Sequence, residues 1–89
     1  MKRKTFMIER RLGDGRKVYF DGFARTIGED TFTPRWTDKE NGVRYYDDGP
    51  PFPTLLTKHF KRLRDEYGFL SIEMELRIVE LPENEWTDI

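Results

Sequence analysis

The sequence predicts an α+β domain: an antiparallel, strongly curved sheet of about five strands with one α-helix packed on one face, in the order ββββαβ. Three patterns carry that expectation. From Thr54 to Tyr67, the residues Leu56, Phe60, Leu63 and Tyr67 recur at i, i+4, i+7 and i+11, which gathers large apolar groups on one helical face. From Leu70 to Ile78, the residues Leu70, Ile72, Met74, Leu76 and Ile78 alternate with polar ones, the period of a strand with one buried face. Ahead of both lie shorter aromatic and β-branched runs separated by glycine-containing turn signals.

In chain order, Met1 to Lys4 is a basic lead expected to fray. Thr5–Leu12 reads as the first strand, with Phe6, Ile8 and Leu12 on one face and Arg10 interrupting it. Gly13-Asp14-Gly15 then marks a hairpin, because a tight connection needs positive φ and glycine adopts it at low cost. Arg16–Arg25 returns as the second strand, with Val18 and Phe20 on one face and Tyr19 and Phe23 on the other. Gly22 within it signals a bulge or bend. After a turn at Gly28-Glu29-Asp30, Thr31–Thr37 forms a third strand that Pro34 confines to an edge or a bulge, since proline cannot donate to a ladder. Asp38–Gly42 makes the next turn and Val43–Tyr46 the fourth strand.

Asp47–Pro53 contains three prolines, which exclude helix and central strand alike and should deliver Phe52 to the core. Thr54 is placed to cap the helix and Gly68 to end it in a left-handed turn. At Ile78-Val79 the alternation of the final strand breaks, which predicts a bulge or a strand end that sends Val79 and Leu81 to the opposite face. Pro82 terminates the strand, and residues 82–89 read as a loosely held acidic tail with Trp86 as its anchor.

The length of 89 residues leaves room for one core, so residues 1–89 are read as a single domain of modest stability. An aromatic content of 15% offsets the small size, because each ring buries a large area. No cysteine is present, which excludes disulfides and thiolate metal sites and fits a reducing, cytoplasmic setting. Met1 is followed by no secretory signal pattern, and the Phe6 to Ile8 cluster is too short for a membrane span.

Residues 1–44 carry 11 Lys/Arg against 7 Asp/Glu and residues 45–89 carry 5 against 10, so the halves stand at +4 and −5. If the first four strands form a meander and the last pairs with the first, the strand order is 5-1-2-3-4. Acidic and basic strands then lie side by side, and the charge split needs no ligand.

A tryptophan strand (Trp36-Thr37-Asp38), a tyrosine strand (Val43-Arg44-Tyr45-Tyr46), a Phe-Pro-Thr helix entry and an Ile-Val-Glu closing strand together resemble small orphan proteins of phages, prophages and mobile elements. The resemblance spans roughly residues 31–81. It implies a small α+β module in a bacterial or phage-like setting, with no activity or site attached.

Catalytic machinery is not legible in the chain. His59, the only histidine, has no nucleophile or orienting carboxylate fixed near it by sequence, so it reads as a boundary residue of the helix. Asp47 and Asp48 lack the alternating oxygen ligands of a calcium loop and are explained by turn formation. Gly13-Asp14-Gly15 leads into a strand, unlike a phosphate loop. The reading is therefore non-enzymatic, with no cofactor, no metal site, no membrane segment and no small-molecule substrate. Tyr19, Phe23, Trp36, Tyr45, Tyr46 and Trp86 exceed what one helix can cover, so an aromatic outer sheet face is expected. Trp36, Tyr45 and Tyr46, with Arg35 and Arg44 as polar anchors, form the candidate surface for a protein partner or a homodimer. The alternative is a nucleic-acid footprint of Lys58, Lys61, Arg62 and Arg64 on the helix, extended by Arg10, Arg11, Arg16 and Lys17 of the first hairpin. Asp65 and Glu66, four residues after Lys61 and Arg62, neutralise part of that helix face.

Overall fold

The computed structural model describes residues 1–25, 27–28, 31–46, 52–68 and 75–88. Its elements are β1 (Lys2–Arg3), β2 (Thr5–Arg11), β3 (Lys17–Arg25), β4 (Phe32–Thr37), β5 (Tyr45–Tyr46), α1 (Thr54–Tyr67), β6 (Glu75–Glu80), a 3₁₀ turn (Glu83–Glu85) and β7 (Thr87–Asp88). The α+β class predicted from sequence is what the chain adopts, with one α-helix and an open antiparallel sheet among the described residues. The expected strand residues Leu70, Ile72 and Met74, the Asp47-Asp48 turn and most of the Gly28-Glu29-Asp30 turn lie outside the described residues.

Strand β2 is the spine of the sheet. Phe6 pairs with both Tyr45 and Glu80, and Glu9 pairs with both Tyr19 and Arg77. Hence β6 runs along one edge of β2 in unbroken register, while β3 and β5 share the other edge. The expected order 5-1-2-3-4 holds for β6, β2, β3 and β4, with β4 outermost as Pro34 requires. It does not hold for Tyr45–Tyr46, which was expected beside the Trp36 strand and instead pairs with Thr5 and Phe6.

The cause is the bulge in β3. Phe20 pairs with Trp36 and Phe23 with Pro34, so Asp21 and Gly22 together oppose Arg35, with Gly22 at φ 88. The extra residue bends β3 away from β2 after Tyr19, and the strip of β2 left bare is taken by β5. The Val43 amide donates to the Phe20 carbonyl at 2.9 Å, at the point where the two strands part. The same bulge returns Phe23 to the face of Phe20, correcting the expectation that it would lie with Tyr19. Phe23 packs at 4.9 Å from Phe20 and stacks on Tyr67.

Helix α1 ends where predicted and begins one residue earlier, because apolar groups recur at helical spacing and Gly68 closes it at φ 65, its amide donating to the Arg64 carbonyl. Thr54 is not the cap. Pro53 holds that position with no side-chain bond, and its carbonyl accepts the Thr57 amide. Leu56 and Leu63 are wholly buried against Phe6, Ile8, Phe20, Tyr45 and Leu76, and each contributes about 1.5–3 kcal/mol. Phe52 packs edge-on against Phe6 but remains 37% exposed, so it caps the core more than it fills it.

A second apolar layer lies on the other face: Met7, Tyr19 and Leu81, with Val79 and Trp86 against them. β6 continues through Glu80 without a bulge. The change of pattern at Ile78-Val79 therefore marks a strand apolar on both faces, not a strand end. The chain ends, read as a frayed lead and a loose tail, pair with each other as β1 and β7.

Candidate functional site

On the helix side, His59 projects from α1 into a ring of aromatics. Its Nδ1 lies 2.8 Å from the Tyr45 hydroxyl, and the edges of Phe20, Phe23 and Tyr45 surround the imidazole at 5.6–5.7 Å between ring centroids. Burial, aided by the charges of Arg62 and Lys58, holds His59 below its ordinary value of 6.5. Burial also raises the Tyr45 phenol well above its ordinary value, so a neutral hydroxyl and a neutral ring share the hydrogen bond.

The surface residues read from sequence do not gather into one patch. Tyr45 is buried in the helix-side core, and Trp36 is half-buried there, edge-on to Phe20 at 5.9 Å with the Arg10 guanidinium 5.1 Å from its centroid. Arg35 and Tyr46 alternate to the opposite face and are exposed, while Arg44 is half-buried and donates to the Glu40 carbonyl at 3.2 Å. The aromatics expected on an outer face are thus divided: Tyr19, Tyr46 and Trp86 lie on the face away from α1, whereas Phe23, Trp36 and Tyr45 pack in the helix-side core.

The basic set is divided as well. Lys58, Lys61, Arg62, Asp65 and Glu66 line an open groove of about 250 Å³ on the outward side of α1. Arg62 is tied to Glu66 at 2.9 Å and lies 4.3 Å over Phe23, and Arg64 sits exposed in the last turn. Arg10 faces the helix side over Trp36. Arg11 and Lys17 are cross-strand partners on the face away from the helix, and Arg16 is held by Asp14 at 2.6 Å. The sheet stands between the Arg11–Lys17 pair and the helix cations, so the set does not form one continuous footprint.

The second face holds a cluster that sequence reasoning missed. Glu9, only 5% exposed, accepts the Tyr19 hydroxyl at 3.0 Å and the Arg77 Nε at 2.8 Å. Burial and the Glu9 carboxylate raise the Tyr19 phenol, keeping it a donor. Beside it Lys39 binds Glu85 at 3.1 Å, and the Trp86 indole donates to the Leu81 carbonyl at 2.8 Å. The signal that could have found this face is the uninterrupted run Phe6-Met7-Ile8, since consecutive apolar residues in a strand place apolar groups on both faces.

Among the described residues no group of three His, Cys, Asp or Glu could hold a metal ion, and no helix is long and apolar enough to cross a membrane. Comparison of the chain with protein-family models, with curated proteins and with solved structures finds no match.

Proposed function

We propose that this chain is a small non-enzymatic interaction module that binds a protein partner or a second copy of itself through an apolar shoulder at the entry of α1. The observation that carries this reading is the pair Phe52 and Leu55, which remain 37% and 54% exposed while Leu56, the next residue, is wholly buried. Covering the exposed half of Leu55 recovers about 1 kcal/mol. Paired with an adjacent aromatic it makes a small apolar centre, and Lys58 one turn on supplies a charged rim. Phe6, against which Phe52 packs edge-on, anchors this shoulder to the core.

Sedimentation velocity over a concentration series, with Leu55→Glu beside wild type, tests the proposal together with capture of partners from the native host. Reversible self-association, or a defined captured partner, should weaken at least tenfold in Leu55→Glu while its circular dichroism stays that of wild type. A strict monomer at every concentration, with identical capture by both proteins, overturns it.

A further inference from the structure

The face of the sheet turned away from α1 is closed by a segment that makes the contacts of a bound peptide. Thr5 and Met7 are wholly buried there and Glu9 nearly so, although α1 packs on the other face. The run that follows Leu81 supplies part of their cover, beside Leu81 itself and Gly42, which lies against Met7 and Tyr19. Trp86 packs on the Met7 and Tyr19 cluster, and Glu85 meets Lys39 at the rim. The Thr87 amide donates to Thr5 Oγ1 at 2.7 Å, and Thr87–Asp88 pairs antiparallel with Lys2–Arg3. An aromatic anchor in an apolar seat, backbone pairing at a strand and an ion pair at the rim are the means by which extended peptides dock on sheets.

The segment is also separable from the sheet it covers. β1 and β7 form a two-stranded sheet of their own, and no pairing within the main sheet involves residues 82–88. The last backbone bond to the spine is the Leu81 amide to the Thr5 carbonyl at 2.9 Å, and Pro82 follows it at once. Beyond that proline lie a single 3₁₀ turn and two paired residues, a small set of contacts to break.

We infer that the surface formed by Met7, Tyr19 and Val79 is a peptide-docking site held closed in cis by residues 82–88. The partner it fits is an extended acidic peptide in which a carboxylate directly precedes an aromatic anchor and a β-pairing residue follows it. The site lies on the opposite side of the sheet from Phe52 and Leu55, so it is independent of the contact proposed above.

The test uses the full chain and a fluorescein-labelled synthetic peptide of residues 81–88. Trp86→Ala removes the anchor of the cis segment, and Thr87→Pro removes its amide donor without touching the apolar seat. The labelled peptide should bind both variants saturably and at least tenfold more tightly than wild type, where the tethered segment competes at an effective concentration of about a millimolar. The same peptide with alanine at its tryptophan should not bind, and Leu55→Glu introduced into either variant should leave binding unchanged. Lack of saturable binding to a variant with wild-type circular dichroism overturns the inference, as does equal binding to wild type. Loss of the folded state in both variants overturns it too, because the segment would then be integral to the fold.

Discussion

Replacing Gly42 by alanine tests the fork in the sheet, where β3 leaves β2 and Tyr45 takes its place. A Cβ at this position would lie 2.6 Å from Met7 Cε and 2.9 Å from Tyr19 Cβ. Its φ is outside the left-handed region, so the cost is steric and not conformational. Met7 Cε is the end of a flexible side chain, but Met7 is wholly buried among Tyr19 and Leu81 and has little space to move into. Tyr19 Cβ is fixed by pairing with Glu9 on one side and Thr37 on the other. Overpacking of this kind costs about 1–3 kcal/mol. In a domain of this size each kcal/mol lowers Tm by about 4–8 °C. Urea unfolding followed by tryptophan fluorescence measures the loss. Met7→Ala alone should cost about 2–5 kcal/mol. The double variant should fall short of the sum by about 1 kcal/mol, because the alanine methyl occupies the space that Met7 vacates. A Gly42→Ala protein within about 0.5 kcal/mol of wild type would refute the packing of β5 between β2 and the bent β3. Strict additivity of the double variant would do the same.

Two further outcomes follow from the polar pairs. Burial keeps the folded His59 below 6.5, so the unfolded chain takes up its proton first. The stabilisation is complete above about pH 6.5 and is lost as pH falls through the lower folded value; His59→Gln should reduce the slope of stability against pH there, and equal slopes would contradict the assignment. Arg77→Ala should cost about 1–2 kcal/mol in urea unfolding, less than a fully buried ion pair because the Arg77 side chain is 43% exposed, with part recovered in Glu9→Gln/Arg77→Ala. A neutral Arg77→Ala would show that Tyr19 alone satisfies the Glu9 carboxylate.

Helix α1 was legible to within one residue because its signals are local: an apolar stripe at helical spacing, Pro53 before it and Gly68 after it. Pro34 marked β4 as an edge strand for the same reason, since the missing amide is a property of the residue itself. Gly22 announced a bulge, but its consequence was not legible. Whether one or two residues oppose Arg35 decides the face of Phe23, and that depends on the partner strand. The residues of the candidate surface were separated by the same kind of non-local pairing. Trp36, Tyr45 and Tyr46 are equally aromatic in sequence, yet the first two pack toward α1 and only Tyr46 reaches solvent substantially. Glu9 looked like an ordinary surface carboxylate, because its partners Tyr19 and Arg77 are 10 and 68 residues away.

The sequence by itself determined the α+β class, the limits of the helix, the first hairpin and the edge position of β4. Each rests on periodicity or backbone chemistry confined to a few neighbouring residues. Only the tertiary structure decided that Tyr45–Tyr46 fills the edge of β2 abandoned by β3, and that the two chain ends form a sheet together. Only there does the second face acquire a core of its own. Those outcomes turn on contacts such as Thr5 with Thr87, 82 residues apart, whose free energy comes from packing and pairing that no local pattern encodes.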